Sequence, residues 1–552
     1  KPLIVYTKSF VPPGYEDSLE RVIVSVIDIT EQRNLEISLR TSRQEIKNAF
    51  EGMIRAFSKT VEIKDPYTAG HQLRVSKLAS EIAKRMKALK EYENFFLALS
   101  GNYVEPGASG SLTRGKIEIL PTGRNFYGVD PTALPTRAAW EIGVKTAEKL
   151  LAHYLEKHGK LPESVGHWLM SIDGYKADGE QLAQILYLLG VRPVWINNAV
   201  KEIEVIPLKE LKRPRIDVCV RITGIVRDTL PNYAELIEKA VAKIIALDEP
   251  LEMNFVRKHY FEQLEKLSKL GISEEFAKCR VWGCKPGAYG AGVNYAVEAS
   301  AWKSDVDLAK VWIHWSAYAY GDKFRGEFSP EALILNLKNV EVITRNQISD
   351  EHDLLNCCCH FSYQGGFYNA VKEIKGKEPE IVVVDTREIT NAEIREMKDE
   401  IERIVRAKLL NDHWIEEMKK HGYRGANEFS KKILHLYGWS ATTKLVEDWV
   451  FDEIAENYVL NEEMKKFFVE NNVYALEEIA RRLVEAKERG LWKAGEERLR
   501  RIREIYAEIE GILEEDLVGD IQGGEIRFLN SEDVEDWKQN LKELEKAFEV
   551  IK

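Results

Sequence analysis

The sequence is poor in cysteine: six among 552 residues, at positions 219, 279, 284, 357, 358 and 359. Three are consecutive, which is poor geometry for bridging. A secreted, disulfide-stapled scaffold is therefore excluded, and a reducing cytoplasm is the expected compartment. Long apolar runs are missing too. No stretch approaches the roughly 20 apolar residues that a spanning helix needs, and Lys1-Pro2 is followed by only a short apolar run, unlike a secretory leader. Basic excess is also lacking. Lys and Arg number 79 against 90 Asp and Glu, a net charge of −11, which argues against a nucleic-acid binder. There is no internal repeat and no low-complexity tract. The first residue is Lys1 rather than Met, so a fragment or a processed chain is expected.

What is present is an ordinary globular composition, 44% hydrophobic and 31% charged. At about 150 residues per domain the length suggests three or four domains, with enough core to need no staples. Residues 19–29 alternate as a strand, and Leu35, Leu39, Ile46, Phe50, Met53, Phe57 and Val61 then recur as on a helix to about Lys64, an ordinary amphipathic helix or a coiled-coil linker. Asp65-Pro66 breaks it. Residues 101–136 are dense in Gly, Pro, Ser and Thr and too long for a plain connection. Thr136 is placed to cap a helix running to about Lys157, and Gly159, Pro162 and Gly166 read as a turn. A helix near 178–189 precedes an expected buried strand at 190–195. A strand at 215–225, a helix at 231–247 and a core strand at 381–385 follow. After 390 the chain reads as almost wholly helical. The class is mixed α/β, becoming all-α at the C-terminus.

Four motifs carry possible chemistry. Gly110 to Ile117 has a GxxxxGK frame, but Ile117 stands where Mg²⁺ ligation needs Ser or Thr and no strand leads in, so ATP is expected to bind elsewhere. Asp350-Glu-His-Asp-Leu-Leu-Asn-Cys-Cys-Cys-His360 gathers metal-competent side chains. Its spacing matches no zinc finger, neighbouring thiols point to different faces of a strand or helix, and free Cys more often packs as a small hydrophobe. Gly283 to Gly292 holds four glycines that permit either close approach to a flat ligand or a structural bulge. Trp312, Trp315, Tyr318 and Tyr320 at helical spacing, with His314, read as core.

Two resemblances cover different stretches. Glu62-Ile-Lys-Asp-Pro-Tyr-Thr-Ala-Gly-His71 to Arg85 resembles the opening of the HD-GYP phosphodiesterases, and 19–36 resembles the closing strand and exit helix of a PAS domain. The family's HD dyad and GYP segment do not follow; only His71 matches, so no phosphodiesterase activity is expected. From about Leu89 to Trp492 the chain resembles the C-terminal part of the cobaltochelatase large subunit (CobN type) and the magnesium chelatase H subunit. Gly101-Asn-Tyr-Val-Glu-Pro-Gly-Ala-Ser-Gly, Leu120-Pro-Thr-Gly-Arg-Asn-Phe-Tyr, Ala133-Leu-Pro-Thr, Arg213-Pro-Arg-Ile-Asp-Val, Arg227-Asp228, Lys285-Pro-Gly-Ala-Tyr-Gly-Ala-Gly, Glu351-His-Asp-Leu-Leu and Gly438-Trp-Ser-Ala-Thr-Thr carry it. The Lys285 and Glu351 stretches favour the cobalt type. Where that type usually has an acidic Asp-Ser-Asp-Asp-like run, this chain has Asn356-Cys-Cys-Cys-His. The two resemblances meet near Lys87–Leu89, as in a chimera whose first 88 residues pack weakly on the rest.

The resemblance implies a mixed α/β multi-domain fragment: the end of a PAS-like domain at 1–36, a helical linker at 37–64, a truncated HD-GYP-like start at 65–88, the chelatase α/β region at 89–390 and a helical region at 391–552. It implies insertion of cobalt into a corrin precursor (hydrogenobyrinate a,c-diamide), or of magnesium into protoporphyrin IX. ATP would be hydrolysed by separate AAA+ subunits, and no nucleic acid or membrane would be involved. A non-catalytic tetrapyrrole binder and a signalling protein are the alternatives. The expected site residues are Glu105, His352 and Asp353 as base and metal relay, and Glu351, His352 and His360 as metal ligands. Arg114, Arg124 and Arg137 would meet macrocycle carboxylates, loop anchoring being their other reading, and Tyr127 would stack on or hydrogen-bond the ring. A tetrapyrrole-sized hollow bordered by 101–136 and Glu351 is expected.

Overall fold

Buried β-branched runs organise the fold, a computed structural model that describes residues 5–10, 23–28, 30, 90–108, 110, 116, 119–516, 539 and 542–549. The chain divides into a unit of Lys1–Ser80 and a unit of Glu81–Lys552. In the first, β1 (Val5–Phe10) and β2 (Ile23–Asp28) form an antiparallel pair, Val5 opposite Asp28. The expected helix to Lys64, the HD-GYP-like stretch and the joint at 87–89 lie outside the described residues.

Among its described residues the second unit contains two short ribbons and one large sheet. β3 (Pro106–Ala108) pairs with β4 (Asn125–Tyr127), and β6 (Val191–Ile196) with β7 (Ala199–Val205). The 190–195 segment is thus a strand, but of a half-exposed hairpin rather than a buried core. The large sheet comprises β5 (Ser164–Leu169), β8 (Asp217–Ile222), β9 (Val281–Gly283), β10 (Tyr318–Tyr320), β11 (Arg325–Phe328), β12 (Val340–Gln347), β13 (Glu380–Asp385) and β14 (Glu393–Glu396). Its order is β11-β10-β9-β8-β5-β12-β13-β14. The five central strands run parallel and the edge strands antiparallel.

Both faces of the parallel core are buried, as such sheets require, and side chains alternate between them. Val165, Val218, Val220, Ile222, Val342 and Val382 face a core covered by α1 (Arg137–His158), α2 (Glu180–Leu189) and α3 (Asn232–Ile245). Trp168, Cys219, Trp282, Ile343, Ile381 and Val383 face the other, larger core. That one is covered by α4 (Asp305–Ser316), α5 (Gly366–Lys375), α6 (Tyr423–Thr443) and the C-terminal helices. The expected limits of α1 hold: the Thr136 hydroxyl accepts from Ala139 N at 3.2 Å, and Gly159 closes the helix at φ +69°.

Two expectations need correction. Gly166 does not mark a turn; it lies inside β5, the central strand. A Cβ there would sit 2.9 Å from Cζ of Phe367, so glycine serves close packing of α5 on the sheet. Trp312, Trp315, Tyr318 and Tyr320 do not share one helix either. Helix α4 ends at Ser316, and the two tyrosines belong to β10. Trp312 and both tyrosines are nonetheless core, Trp312 stacking on Phe367 at 4.9 Å between centroids.

Candidate active site

Strand order locates the place where a ligand can bind. From β5 the chain proceeds through β8 to β9 on one side, and later through β12 to β13 on the other. Connections leaving the carboxyl ends of β5 and β12 therefore diverge, opening a crevice. Around that edge lie Met170–Lys176 after β5, Thr223–Asp228 after β8, Cys284–Gly292 after β9, Ile348–His360 after β12 and Thr386–Arg387 after β13. Two of the four motifs read from sequence, Gly283–Gly292 and Asp350–His360, thus converge on one edge.

Arg345 is the centre of the arrangement. It sits in β12, fully buried, where an unpaired charge would be prohibitive. Its Nε and Nη2 grip the Asp173 carboxylate bidentately at 2.8 Å each, and its guanidinium lies 4.8 Å over the Trp168 ring. Its Nη1 is 2.8 Å from Nδ1 of His360. A guanidinium has only donors, so Nδ1 accepts and the proton of the neutral ring resides on Nε2. Burial first, then the Arg345 charge, push the His360 pKa well below its ordinary 6.5. Nε2 of His360 is buried and makes no hydrogen bond among the described residues. In this arrangement it is a donor, so a metal-ligand role for His360 requires the ring to turn away from Arg345.

His352 packs edge-on against His360, ring centroids 5.7 Å apart. Half-buried, it too is held below 6.5, by burial and then by Arg345. Asp353 is fully buried and already engaged: it accepts from Leu355 N at 2.7 Å, pairs with Lys408, and has Lys432 at 3.8 Å. It fixes the loop. Glu351 stands exposed at the lip, 2.9 Å from Lys176. Burial would push the Asp350 carboxyl up, but Arg387 and Arg403 hold it below its ordinary range.

Helix α6 clamps this loop from behind. Trp439 Nε1 donates to Leu354 O at 3.1 Å, and His435 Nδ1 donates to Leu355 O at 2.7 Å. Gly438 is needed because a Cβ there would lie 2.6 Å from Phe361. Past the clamp, Cys357–Cys359 lead into a π-helical turn, Phe361–Gly365, a form often found beside functional sites. The three thiols do share one place: their Sγ atoms lie within 4.8 Å of one another. The divergence expected of adjacent side chains fails because Cys357 and Cys358 lie in a turn and Cys359 opens the helical segment that follows. The three thiols titrate together: hydrogen bonds from Cys358 and Cys359 draw the Cys357 thiol down, and the same contacts push the Cys358 and Cys359 thiols up.

On the other flank, Arg227 grips Asp228 at 2.7 and 3.0 Å and donates to Lys285 O at 2.9 Å, while the Tyr289 hydroxyl donates to Asp228 at 2.7 Å. The glycine-rich loop is thereby held, with Gly287, Gly290 and Gly292 at positive φ. A Cβ on Gly292 would strike Trp315 at 2.4 Å. Tyr289 and Tyr295 stand exposed beside it.

The structure brings Glu351, His352, Asp353 and His360 together. It places others elsewhere. Arg124 packs its guanidinium against Gly107 and donates to Ile119 O at 3.3 Å. Arg137 is exposed, stacked on Trp195 at 4.8 Å. Glu105 is exposed and makes no hydrogen bond or ion pair among the described residues. Arg114 and the Tyr127 side chain lie outside what is described. Lys116 of the GxxxxGK frame pairs with Asp178 at 2.5 Å. The two best-defined cavities are a 310 Å³ groove along Glu496–Ala507 and a 210 Å³ hollow beside Arg227, Tyr320 and Phe324. Neither borders Glu351 or residues 101–136, so the macrocycle-sized hollow expected there is not among them. Arg345, Asp173, Trp168, Lys408 and Lys432 were missed. The available signal was Arg345 itself, a charge directly after the β-branched residues Val342-Ile343-Thr344.

The family model described as CobN/Magnesium Chelatase matches residues 8–499, beginning within the stretch read as PAS-like. The chain is 48% identical over 451 residues to an uncharacterised protein of Methanocaldococcus jannaschii, across 81% of this chain and 36% of that one. It is 37% identical over 424 residues to the aerobic cobaltochelatase subunit CobN of Pseudomonas aeruginosa, across 75% and 34%. A solved structure, the catalytic subunit of cobaltochelatase from Mycobacterium tuberculosis, matches with TM-score 0.74 at 37% identity, covering 76% of this chain and 36% of that one. The chain spans about a third of the length of these relatives. With the family match extending over most of its residues, this chain belongs to the CobN/magnesium chelatase family.

Proposed function

We propose that this chain is the metal- and macrocycle-handling part of a chelatase large subunit, inserting a divalent ion into a tetrapyrrole. Cobalt into a corrin precursor is the favoured reaction and magnesium into protoporphyrin IX the second reading. ATP hydrolysis is assigned to AAA+ partner subunits. Insertion requires an acceptor for two pyrrole N–H protons and groups that strip water from the incoming ion. The observation that carries the reading is the pair of imidazoles at the switch point, His352 and His360, both biased toward the neutral form. His352 is the proton acceptor. His360, buried and fixed by Arg345, backs the His352 ring from within. Glu351, exposed at the lip, receives the hydrated ion. The exposed rings of Tyr289 and Tyr295 offer flat apolar surface to a macrocycle.

The test is cobalt insertion by the full chain, reconstituted with ATPase subunits and hydrogenobyrinate a,c-diamide. His352→Ala should lower the rate by about 10²–10⁴-fold, the usual worth of a positioned acid–base group, with folding unchanged. An unchanged rate removes His352 from the mechanism. Magnesium insertion into protoporphyrin IX in place of cobalt insertion would establish the second reading.

A further inference from the structure

We propose that Cys357, Cys358 and Cys359 form a receiving site for a thiophilic divalent transition-metal ion, beside His352, and that this site makes the chain select a cobalt-class ion over magnesium. The inference rests on the chelatase reading above and specifies its metal.

The geometry is close to what such a site needs. The three Sγ atoms lie within 4.8 Å of one another. Tetrahedral coordination with metal–sulfur bonds of about 2.3 Å puts sulfurs roughly 3.8 Å apart. The trio must therefore close by no more than about 1 Å, within reach of χ1 adjustments in a turn. Cys359 N already donates to Cys357 Sγ at 3.3 Å, a contact that suits a thiolate. Three protein sulfurs leave the fourth tetrahedral position open. That is the ligand count of sites that exchange a ligand, where structural sites use four.

The three thiols also differ from the rest of the cysteines. Cys219, Cys279 and Cys284 are fully buried in the core, whereas Cys357, Cys358 and Cys359 are only partly buried. Cys358 and Cys359 rest against the edge of the larger core, and all three retain some exposure. Their surroundings suit anionic sulfur. Lys432, itself buried, donates to Asn356 immediately before the trio, Lys408 pairs with Asp353, and Arg345 holds His360 immediately after it. Arg345 and Lys408 are already paired with Asp173 and Asp353, so Lys432, with Asp353 at 3.8 Å and Glu428 at 3.4 Å, is the least committed cation near the single negative charge that three thiolates would leave after binding one divalent ion.

Position links the site to the reaction. The trio follows the loop that carries Glu351 and His352 and is clamped by Trp439, and the next residue, His360, touches the His352 ring. An ion bound there has shed most of its water before reaching the proton-accepting group. Thiolates bind Co²⁺, Ni²⁺ and Zn²⁺ well and Mg²⁺ poorly, since Mg²⁺ demands oxygen ligands and retains its waters.

The test uses the full chain, fully reduced, titrated with Co²⁺ alone. One equivalent should produce a thiolate-to-cobalt charge-transfer band in the near ultraviolet, with proton release, and excess Mg²⁺ should not diminish it. Cys357→Ser, Cys358→Ser and Cys359→Ser should each weaken binding at least by the roughly 10- to 100-fold that loss of a mere supporting partner costs a metal site. The triple variant should lose the band while its circular dichroism and melting temperature match wild type. No band in a protein whose six thiols titrate as reduced would overturn the proposal, as would a band that survives in the triple variant. Should a destabilised triple variant obscure this, Cys219→Ser with Cys284→Ser, retaining the trio, must keep the band. If the band behaves as expected but the reconstituted complex inserts neither cobalt nor magnesium, the chelatase reading fails and the metal site stands.

Discussion

Nη1 of Arg345 donates to Nδ1 of His360 across 2.8 Å, so a residue in a β-strand decides which nitrogen of a loop imidazole carries its proton. The same guanidinium is neutralised by Asp173 from the short helix Ser171–Lys176 that follows β5. One buried cation thus ties together the carboxyl ends of β5 and β12 and the histidine between them.

Breaking that tie leaves a buried charge unpaired. Asp173→Asn should destabilise the chain by about 3–5 kcal/mol, the usual cost of removing one partner from a buried ion pair. Arg345→Lys should recover part of this but lose the bidentate grip. Urea denaturation of each variant checks both.

Gly166 allows α5 to lie directly on the central strand. Gly166→Ala places a methyl group 2.9 Å from Phe367 and should cost about 1–3 kcal/mol through overpacking. Phe367→Leu in the same chain should relieve much of it. A double-mutant cycle on denaturation midpoints measures the coupling.

Trp439→Phe removes the hydrogen bond to Leu354 and leaves a cavity where the fully buried indole stood. Stability should fall by about 2–3 kcal/mol. Amide exchange across Asp353–Cys359 should accelerate, and affinity for Co²⁺ should drop more than the stability change predicts, because the clamp orients that loop. Hydrogen exchange read by mass spectrometry decides it.

At the opposite, amino end of the sheet, His259 lies between Asp217 at 2.9 Å and Glu163 at 3.1 Å. Burial would push its pKa down, but the two carboxylates outweigh burial and hold it above 6.5. Its contribution to stability is therefore fully present below pH 6.5 and is lost as pH rises through the raised value. Glu163, drawn down to about 2 chiefly by the His259 hydrogen bond, contributes above its ordinary 4.5 and loses that contribution as pH falls toward 2. The stability difference between wild type and His259→Gln should be largest between pH 4.5 and 6.5 and shrink on both sides. Thermal denaturation over that range tests the sign.

Much of the fold was legible locally. Thr136 and Gly159 bracket α1 because capping chemistry acts over a few residues, and Ile381-Val-Val-Val-Asp385 announces a core strand by its β-branched run. Helix α2 and strand β8 declared themselves in the same way. The central strand β5 did not, because glycine inside it satisfies a contact with Phe367, far along the chain. Strand β12 was hidden by its own charge, Arg345, which is tolerable only once Asp173 is folded against it.

The site divides along the same line. The sequence alone determined which chemistry was at hand: carboxylates, imidazoles and thiols crowded between Asp350 and His360, a glycine-rich stretch that admits close approach, and a net charge of −11. Tertiary structure decided which of those groups lie together. Strand order carried the Glu351 loop, the Gly283–Gly292 loop and Asp173 to one edge, and a turn folded three adjacent thiols onto one point. It left Arg124 and Arg137 anchoring other segments. Propensity and capping act within a turn or two of the chain, whereas a buried charge or a ligand set is satisfied only by partners that folding brings from a distance.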